Sequence, residues 1–261
     1  MAWKTLIACM ALCLLAGALL AAAQGGDPLP PSPAPSPSPT PTGDAPADPG
    51  WPLLVTVPAD DDLPLAGAFY PVDPARPTVL LLHQLYTDRT SWEPLIEPLL
   101  FAGYNVLAVD LRGYGETGGA IDWPQAVDDV AAWAAWLGEK SGLSNPAVAM
   151  IGSSMGSSLA LAGCANAPDC PTAIAISPGW AYQGLEVHDA LVTGMGDRPA
   201  LLVYALRDAW PARGVPRLVE VATSPVTVLD FPGNAHGMDL LEAEADTLIP
   251  QIVEWLGEFA G

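Results

Sequence analysis

Basic residues are scarce in this sequence: 9 Lys and Arg stand against 29 Asp and Glu, a formal net charge of −20. So acidic a surface argues against nucleic acid or an anionic membrane as a partner, because both repel it. Histidine is scarcer still, with three in the chain. Any chemistry that needs an imidazole must therefore use His83, His188 or His236. There are four cysteines, and only Cys164 and Cys170 fall where the chain reads as folded. Two cysteines lack the remaining ligands of a structural zinc site. They bracket a short polar loop, ANAPD. In an exported chain the favoured reading is a disulfide across it, and the alternative is two free thiols. Internal repeats are absent.

What is present begins with two segments outside any core. Residues 1–23 carry one early lysine, then an apolar stretch that ends in Ala21-Ala22-Ala23. This pattern predicts a secretory signal peptide cut after Ala23, against the alternative of an uncleaved N-terminal anchor. Cys9 and Cys13 sit early in the apolar region, where a lipobox cysteine should follow it, so they read as signal-peptide residues. Residues 24–50 alternate proline with Ser, Thr and Ala. Such a segment has little to bury and predicts an extended, polyproline-like tether, or a leader without a function of its own. The expected location is secreted or extracytoplasmic, with the chain held at the cell surface if the N-terminal segment is kept. No membrane insertion is expected of the mature domain.

Residues 51–261 are long enough for one domain with one large core. Apolar runs alternate with amphipathic stretches. Strands are predicted over 52–58, 64–71, 78–83, 105–110, 147–152, 172–177, 200–206 and 226–231. Helices are predicted over 91–102, 124–140, 155–166, 211–222 and 239–259. In the second helix Val127, Val130, Ala131, Ala134 and Leu137 recur at helical spacing, and Trp133 and Trp136 read as packing residues. The first two strands alternate like an edge hairpin, while the later ones are apolar throughout, as buried parallel strands are. Together these imply an α/β fold, a doubly wound and mostly parallel eight-stranded sheet with helices on both faces. Sites in such sheets lie at the C-terminal strand ends. The candidates there are His83-Gln84-Leu85, Asp110, Ser153-Ser154, Ser177, Asp208 and His236.

One of these ends carries a motif. Gly152-Ser153-Ser154-Met155-Gly156 is G-x-S-x-G, directly after a strand and directly before a helix. In that setting the middle residue sits on a strained turn and is lifted to the sheet top. Ser154 is then a candidate nucleophile, and the Met155 N–H at the helix start can face an oxyanion. Ser153 should point elsewhere. A serine hydroxyl needs a base. His83 ends a strand, and His188 lies in a polar stretch that reads as surface. His236, in the loop FPGNAHG before the last helix, is the one good base. The imidazole in turn needs an acid. Asp208 stands just past the penultimate strand, Asp230 inside the last strand is the runner-up, and Asp239 reads as a helix cap.

The stretches LLLHQLYTDRTSW, GYNVLAVDLRGYGET, IGSSMGSSLAL, AISPG, LLVYALRDAW and FPGNAHG resemble the α/β-hydrolase superfamily over nearly all of residues 51–261. The likeness is strongest to small, capless esterases and dienelactone-hydrolase-like members, and the chain order Ser154, Asp208, His236 fits it. The resemblance implies a second oxyanion donor at the Leu85 N–H, or at Gln84. It also implies a structural role for Asp110 and Arg112. Relatives commonly carry His-Gly where this chain has His83-Gln84, so the Gln84 side chain can stand over the pocket, narrow it, add a donor or simply pack. Dienelactone hydrolases proper use cysteine, and Ser154 moves this chain toward ordinary ester hydrolysis. An epoxide hydrolase or dehalogenase would need Asp at position 154. Trp180, Tyr182 and Trp210 follow strand ends, where they can line a pocket or pack. Residues 178–199 are too few for a large lid. The implied activity is a serine hydrolase of small-molecule carboxylic esters, with no metal or cofactor. Peptidase or acyltransferase activity with the same residues, or a non-catalytic binding domain on a proline-rich stalk, are the alternatives.

Overall fold

The structure, a computed structural model, describes residues 52–139 and 141–261. The expected signal peptide, the proline-rich tether, Cys9 and Cys13 lie outside the described residues. Eight strands form one sheet: β1 (Leu53–Pro58), β2 (Pro64–Tyr70), β3 (Thr78–Leu82), β4 (Asn105–Val109), β5 (Val148–Ser153), β6 (Ala173–Ile176), β7 (Ala200–Ala205) and β8 (Val226–Phe231). Their order across the sheet is β1-β2-β4-β3-β5-β6-β7-β8. β2 runs antiparallel to both β1 and β4, and every later pairing is parallel. All eight predicted strands are present within a residue or two of their expected ends.

Alternation along the central strands splits the core into two layers. Leu80 and Leu82 of β3 and Met150 of β5 face one side, with α2 (Trp123–Glu139) and α3 (Met155–Asn166). Val79 and Leu81 of β3 and Ile151 of β5 face the other, with α1 (Glu93–Phe101) and the C-terminal helix. A strand buried on both faces favours apolar side chains, which is why β3 and β4 are apolar after their first residues, the buried Thr78 and Asn105. The inward stripe of α2 is Ala126, Val130, Trp133 and Leu137. That is one residue off the seam expected from the aliphatic spacing, because the larger Trp133 takes the buried place and Ala131 is exposed.

Two further departures are local. The helix expected over 239–259 is two helices, α6 (Met238–Ala243) and α7 (Ala245–Phe259), separated by Glu244 with a non-helical ψ of 20°. Between β6 and β7 lies a short helical turn, α4 (Val187–Asp189), continued by a wider turn to Gly194. No large lid occupies this connection. α5 (Pro211–Val221) follows β7. Among the described residues no helix is long and apolar enough to cross a membrane.

Cys164 and Cys170 are joined by a disulfide across the loop that ends α3, with Cα atoms 5.2 Å apart. Arg198 closes the same corner. Its guanidinium donates to the carbonyls of Cys164 (2.6 Å), Ala167 (2.8 Å) and Gly194 (2.7 Å). A cation set against the last carbonyls of a helix satisfies orphan acceptors and the helix dipole together. The bridged loop is short, so the disulfide should contribute about 2 kcal/mol by restricting the unfolded chain. Mass spectrometry of the native protein is expected to find Cys164 and Cys170 linked. Cys164→Ser with Cys170→Ser should melt a few degrees lower without loss of secondary structure. Two free thiols in native material would refute the linkage.

Candidate active site

The turn after β5 is built by close backbone approach. Ser154 has φ 51° and ψ −114°, a region that costs a non-glycine residue about 1–3 kcal/mol. The flanking glycines make that conformation possible. A Cβ on Gly152 would stand 2.0 Å from the Gly156 carbonyl oxygen, and one on Gly156 would stand 2.1 Å from the Leu82 carbonyl oxygen. Any side chain at either position would push the start of α3 away from β3 and β5. Hydrogen bonds hold the strained residue: the Ser154 N–H donates to the Ile176 carbonyl at 2.7 Å, and the Ser157 N–H to the Ser154 carbonyl at 3.0 Å.

The predicted acid, base and nucleophile come together in space. His236 Nε2 lies 2.7 Å from Ser154 Oγ, and its Nδ1 lies 2.5 Å from Asp208 Oδ2. With a neutral imidazole the carboxylate selects the tautomer: Nδ1–H donates to Asp208, which leaves the Nε2 lone pair to accept the serine proton. Asp208 is buried, and its own backbone is held at the head of α5, where its carbonyl accepts from the Ala212 N–H at 2.9 Å. Asp230 is exposed within β8, paired with Tyr204, and takes no part in the cluster. Asp239 lies in the first turn of α6, but the capping position is Gly237.

The other histidines have different surroundings. His83 is fully buried, and burial pushes its imidazole below the usual histidine range. Its Nδ1–H donates to the Gln84 carbonyl at 2.7 Å and its Nε2 accepts from the Leu111 N–H at 3.0 Å. It is a neutral strut between the loops after β3 and β4. His188 stacks on Trp180, with ring centroids 4.3 Å apart. Asp110 accepts from the backbone N–H groups of Arg89 (2.9 Å) and Glu116 (2.8 Å) and pairs with the Arg89 guanidinium. Arg112 is gripped by Asp129 through Nε and Nη2, both at 2.6 Å. Asp110 and Arg112 fix loops, as expected.

A cavity of about 240 Å³ opens above Ser154 and His236, walled by Met155, Ser158, Tyr182 and Trp210. Gly179 lets that wall close, since a Cβ there would lie 1.9 Å from Trp210 Nε1. Of the predicted pocket residues, Trp210 is in the lining. Trp180 and Gln84 are not, so of the alternatives open for each, neither lines this cavity. Trp180 belongs to the neighbouring cleft. Gln84 turns behind the site: its Oε1 accepts from the Met238 N–H at 2.9 Å and from Ser153 Oγ at 3.2 Å. Gly237, at φ 59°, makes room for it, because a Cβ there would fall 1.9 Å from Gln84 Oε1. The Gly237 N–H donates to Ser177 Oγ at 2.9 Å. Gln84 and Ser177 thus tie down the loop that carries His236. The amides of Met155 and Leu85 have no protein acceptor among the described residues. Also among the described residues, no group of three or more His, Cys, Asp or Glu could hold a metal ion.

Ser158, Gly179 and Gly237 were not singled out from the sequence. Gly179 and Gly237 had a signal, each being a glycine one or two residues beyond a candidate at a strand end. Ser158 reads as one more small residue on α3.

An eight-stranded sheet of this order, with a serine on a strained turn after the fifth strand and a histidine and aspartate on later loops, defines an α/β-hydrolase. The chain belongs to the alpha/beta hydrolase fold family, whose model matches residues 77–214. Solved structures agree in fold. An esterase of Pyrococcus furiosus superposes with a TM-score of 0.69 at 22% identity, covering 84% of this chain and 95% of that one. A dienelactone hydrolase of Anabaena variabilis gives 0.68 at 18%, covering 80% and 97%. A monoacylglycerol lipase of Paleococcus ferrophilus gives 0.61 at 20%, covering 74% and 98%. No curated protein matches the chain.

Gln84 generates a test. Replacing it by Ala leaves the Met238 N–H without its acceptor and frees the histidine loop, at a cost of about 1–2 kcal/mol. For Gln84→Ala, kcat should fall roughly tenfold with KM little changed. Gln84→Glu keeps the acceptor and should retain most of the turnover. Normal kcat in a folded Gln84→Ala protein would show that Gln84 only fills space.

Proposed function

We propose that this protein is an exported serine hydrolase of carboxylic esters that works through an acyl-enzyme. The observation that carries the reading is the continuous chain of short contacts from Asp208 through His236 to Ser154. Ser154 Oγ attacks the ester carbonyl carbon as His236 Nε2 takes its proton. The resulting oxyanion is met by the Met155 N–H, at the positive end of α3, and by the Leu85 N–H. His236 then protonates the departing alkoxide, leaving an acyl-serine and an alcohol. Water attacks the acyl carbon, gives its proton to His236, and the collapse returns that proton to Ser154 and frees the acid. Asp208 stays ionised throughout and stabilises the imidazolium.

Export is supported by the apolar residues 1–23 with their Ala-rich end and by a disulfide of the kind that persists outside the cytosol. A small-molecule substrate suits a cavity of about 240 Å³, which a folded protein could not enter.

A fluorophosphonate probe should label Ser154 in the purified protein, and p-nitrophenyl esters should be turned over. Ser154→Ala should abolish both and leave the melt unchanged, whereas Ser153→Ala, whose hydroxyl faces Gln84, should be nearly silent. The reverse pattern would overturn the assignment of the nucleophile.

Asp208→Asn keeps the shape but offers an amide, which favours the wrong imidazole tautomer. Its kcat near neutral pH should drop by ~10⁴, the scale seen for the serine-protease triad. Asp230→Asn, on the exposed face of β8, should change little. Near-normal turnover in a folded Asp208→Asn protein would remove Asp208 from the mechanism.

A further inference from the structure

Trp210 has two sides. One walls the cavity over Ser154, and the other lines a second cleft of about 210 Å³ together with Trp180, Arg213, Gly214 and Arg217. The cleft exists because two elements approach closely. A Cβ on Gly214 would lie 2.9 Å from the Trp180 backbone nitrogen. α5 therefore packs directly on the loop after β6, and its exposed face carries Arg213 and Arg217 one turn apart.

Among the arginines of the described residues, these two and the exposed Arg207 have terminal nitrogens with neither a carboxylate nor a carbonyl partner, and only these two stand together on one helix face. Arg89 and Arg112 pair with carboxylates, and Arg76 and Arg198 are spent on backbone carbonyls. Arg213 uses only its Nε, which donates to the Ala209 carbonyl at 2.8 Å, so its terminal nitrogens stay available. Arg217 lies flat on Trp180, with Cζ 4.2 Å from the ring centroid. Neither has a carboxylate within ion-pair distance among the described residues. The nearby acids Glu186 and Asp189 instead stand 3.4 Å from the nitrogens of His188, which stacks on the same Trp180. In a chain of net charge −20 with 29 acids, two adjacent uncompensated guanidiniums are a local exception. Their cleft shares the Trp210 wall with the cavity over Ser154. A strongly anionic surface repels anionic substrates, so such a substrate needs a positive patch of this kind to be held.

We propose that the cleft is a subsite for an oxyanion on the substrate, so that the preferred esters carry a carboxylate a short distance from the scissile bond. The inference rests on the hydrolase reading. Planar guanidinium forks suit a carboxylate bidentately, and the indoles of Trp180 and Trp210 cover the chain or ring that joins it to the ester. Trp210 separates the two spaces, and its length sets the reach.

The test compares esters matched in size and leaving group. Mono-p-nitrophenyl glutarate against p-nitrophenyl pentanoate places the carboxylate on the acyl side. 4-Acetoxyphenylacetate against 4-propylphenyl acetate, whose phenols are of similar acidity, places it on the alcohol side. In at least one pair the anionic ester should have a kcat/KM ~10- to 100-fold above its neutral partner, the scale of one or two charge-assisted hydrogen bonds. The preference should shrink as ionic strength rises. Arg213→Gln and Arg217→Gln together should erase it, through KM, while leaving the neutral ester unchanged. Because Arg217 braces Trp180, Arg217→Lys is the control: it keeps a cation on the ring and should keep part of the preference. Equal kcat/KM for both members of each pair, or a preference that survives the double variant, overturns the subsite while leaving the hydrolase reading intact. Absence of both turnover and fluorophosphonate labelling overturns that reading and the subsite with it.

Discussion

A single residue with its backbone in the wrong hand sets the terms for this site. Ser154 at φ 51° is held by contacts that reach into the middle of the sheet. Its N–H is tied to β6 through Ile176. The start of α3 is pressed so close to β3 that position 156 has room only for hydrogen. The strain is modest beside the burial that fixes it, since β3, β5, β6 and α3 are all fully packed around the turn. The doubly wound sheet can therefore be read as the clamp that keeps one hydroxyl raised above the strand ends, at the positive end of a helix.

The rest of the site is placed by struts that do no chemistry themselves. His83, neutral because burial disfavours its cation, joins the loop after β3 to Leu111. Asp110 gathers the backbone at Arg89 and Glu116. Gln84 and Ser177 each accept a backbone N–H from the turn that follows His236. These are polar groups that would be costly to bury alone, and each is satisfied by a loop that would otherwise wander. The histidine loop, which has no regular structure of its own, gains its order from them.

Much of this was legible in the sequence because the relevant signals are local. Strand ends, the G-x-S-x-G turn and the order of Ser154, Asp208 and His236 are all written in short stretches. What was not legible depends on contacts between distant stretches. Gln84 occupies a position where a side chain could lean over the pocket, yet its amide finds acceptor duty at Met238, 154 residues away. Trp180 follows a strand end just as Trp210 does, but α5 draws it to the other side of the wall. The seam of α2 shifted because volume, not hydropathy, decided that Trp133 should be buried. Arg198 gave no signal at all, since nothing in its neighbourhood shows that six carbonyls converge there.

The lack of a large insertion between β6 and β7 bears on which of the triad reactions is favoured. Acyl transfer to an acceptor other than water is helped when the acyl-enzyme is shielded from water, as closing lids or domains do. Here the cover over Ser154 is limited to the rims supplied by Tyr182 and Trp210, and the His236 side chain remains 39% exposed. Bulk water can reach that imidazole. Under the proposed serine mechanism, an open site of this shape suits hydrolysis better than transfer. It also leaves substrate choice to the walls, where an indole divides one apolar cavity from one charged cleft.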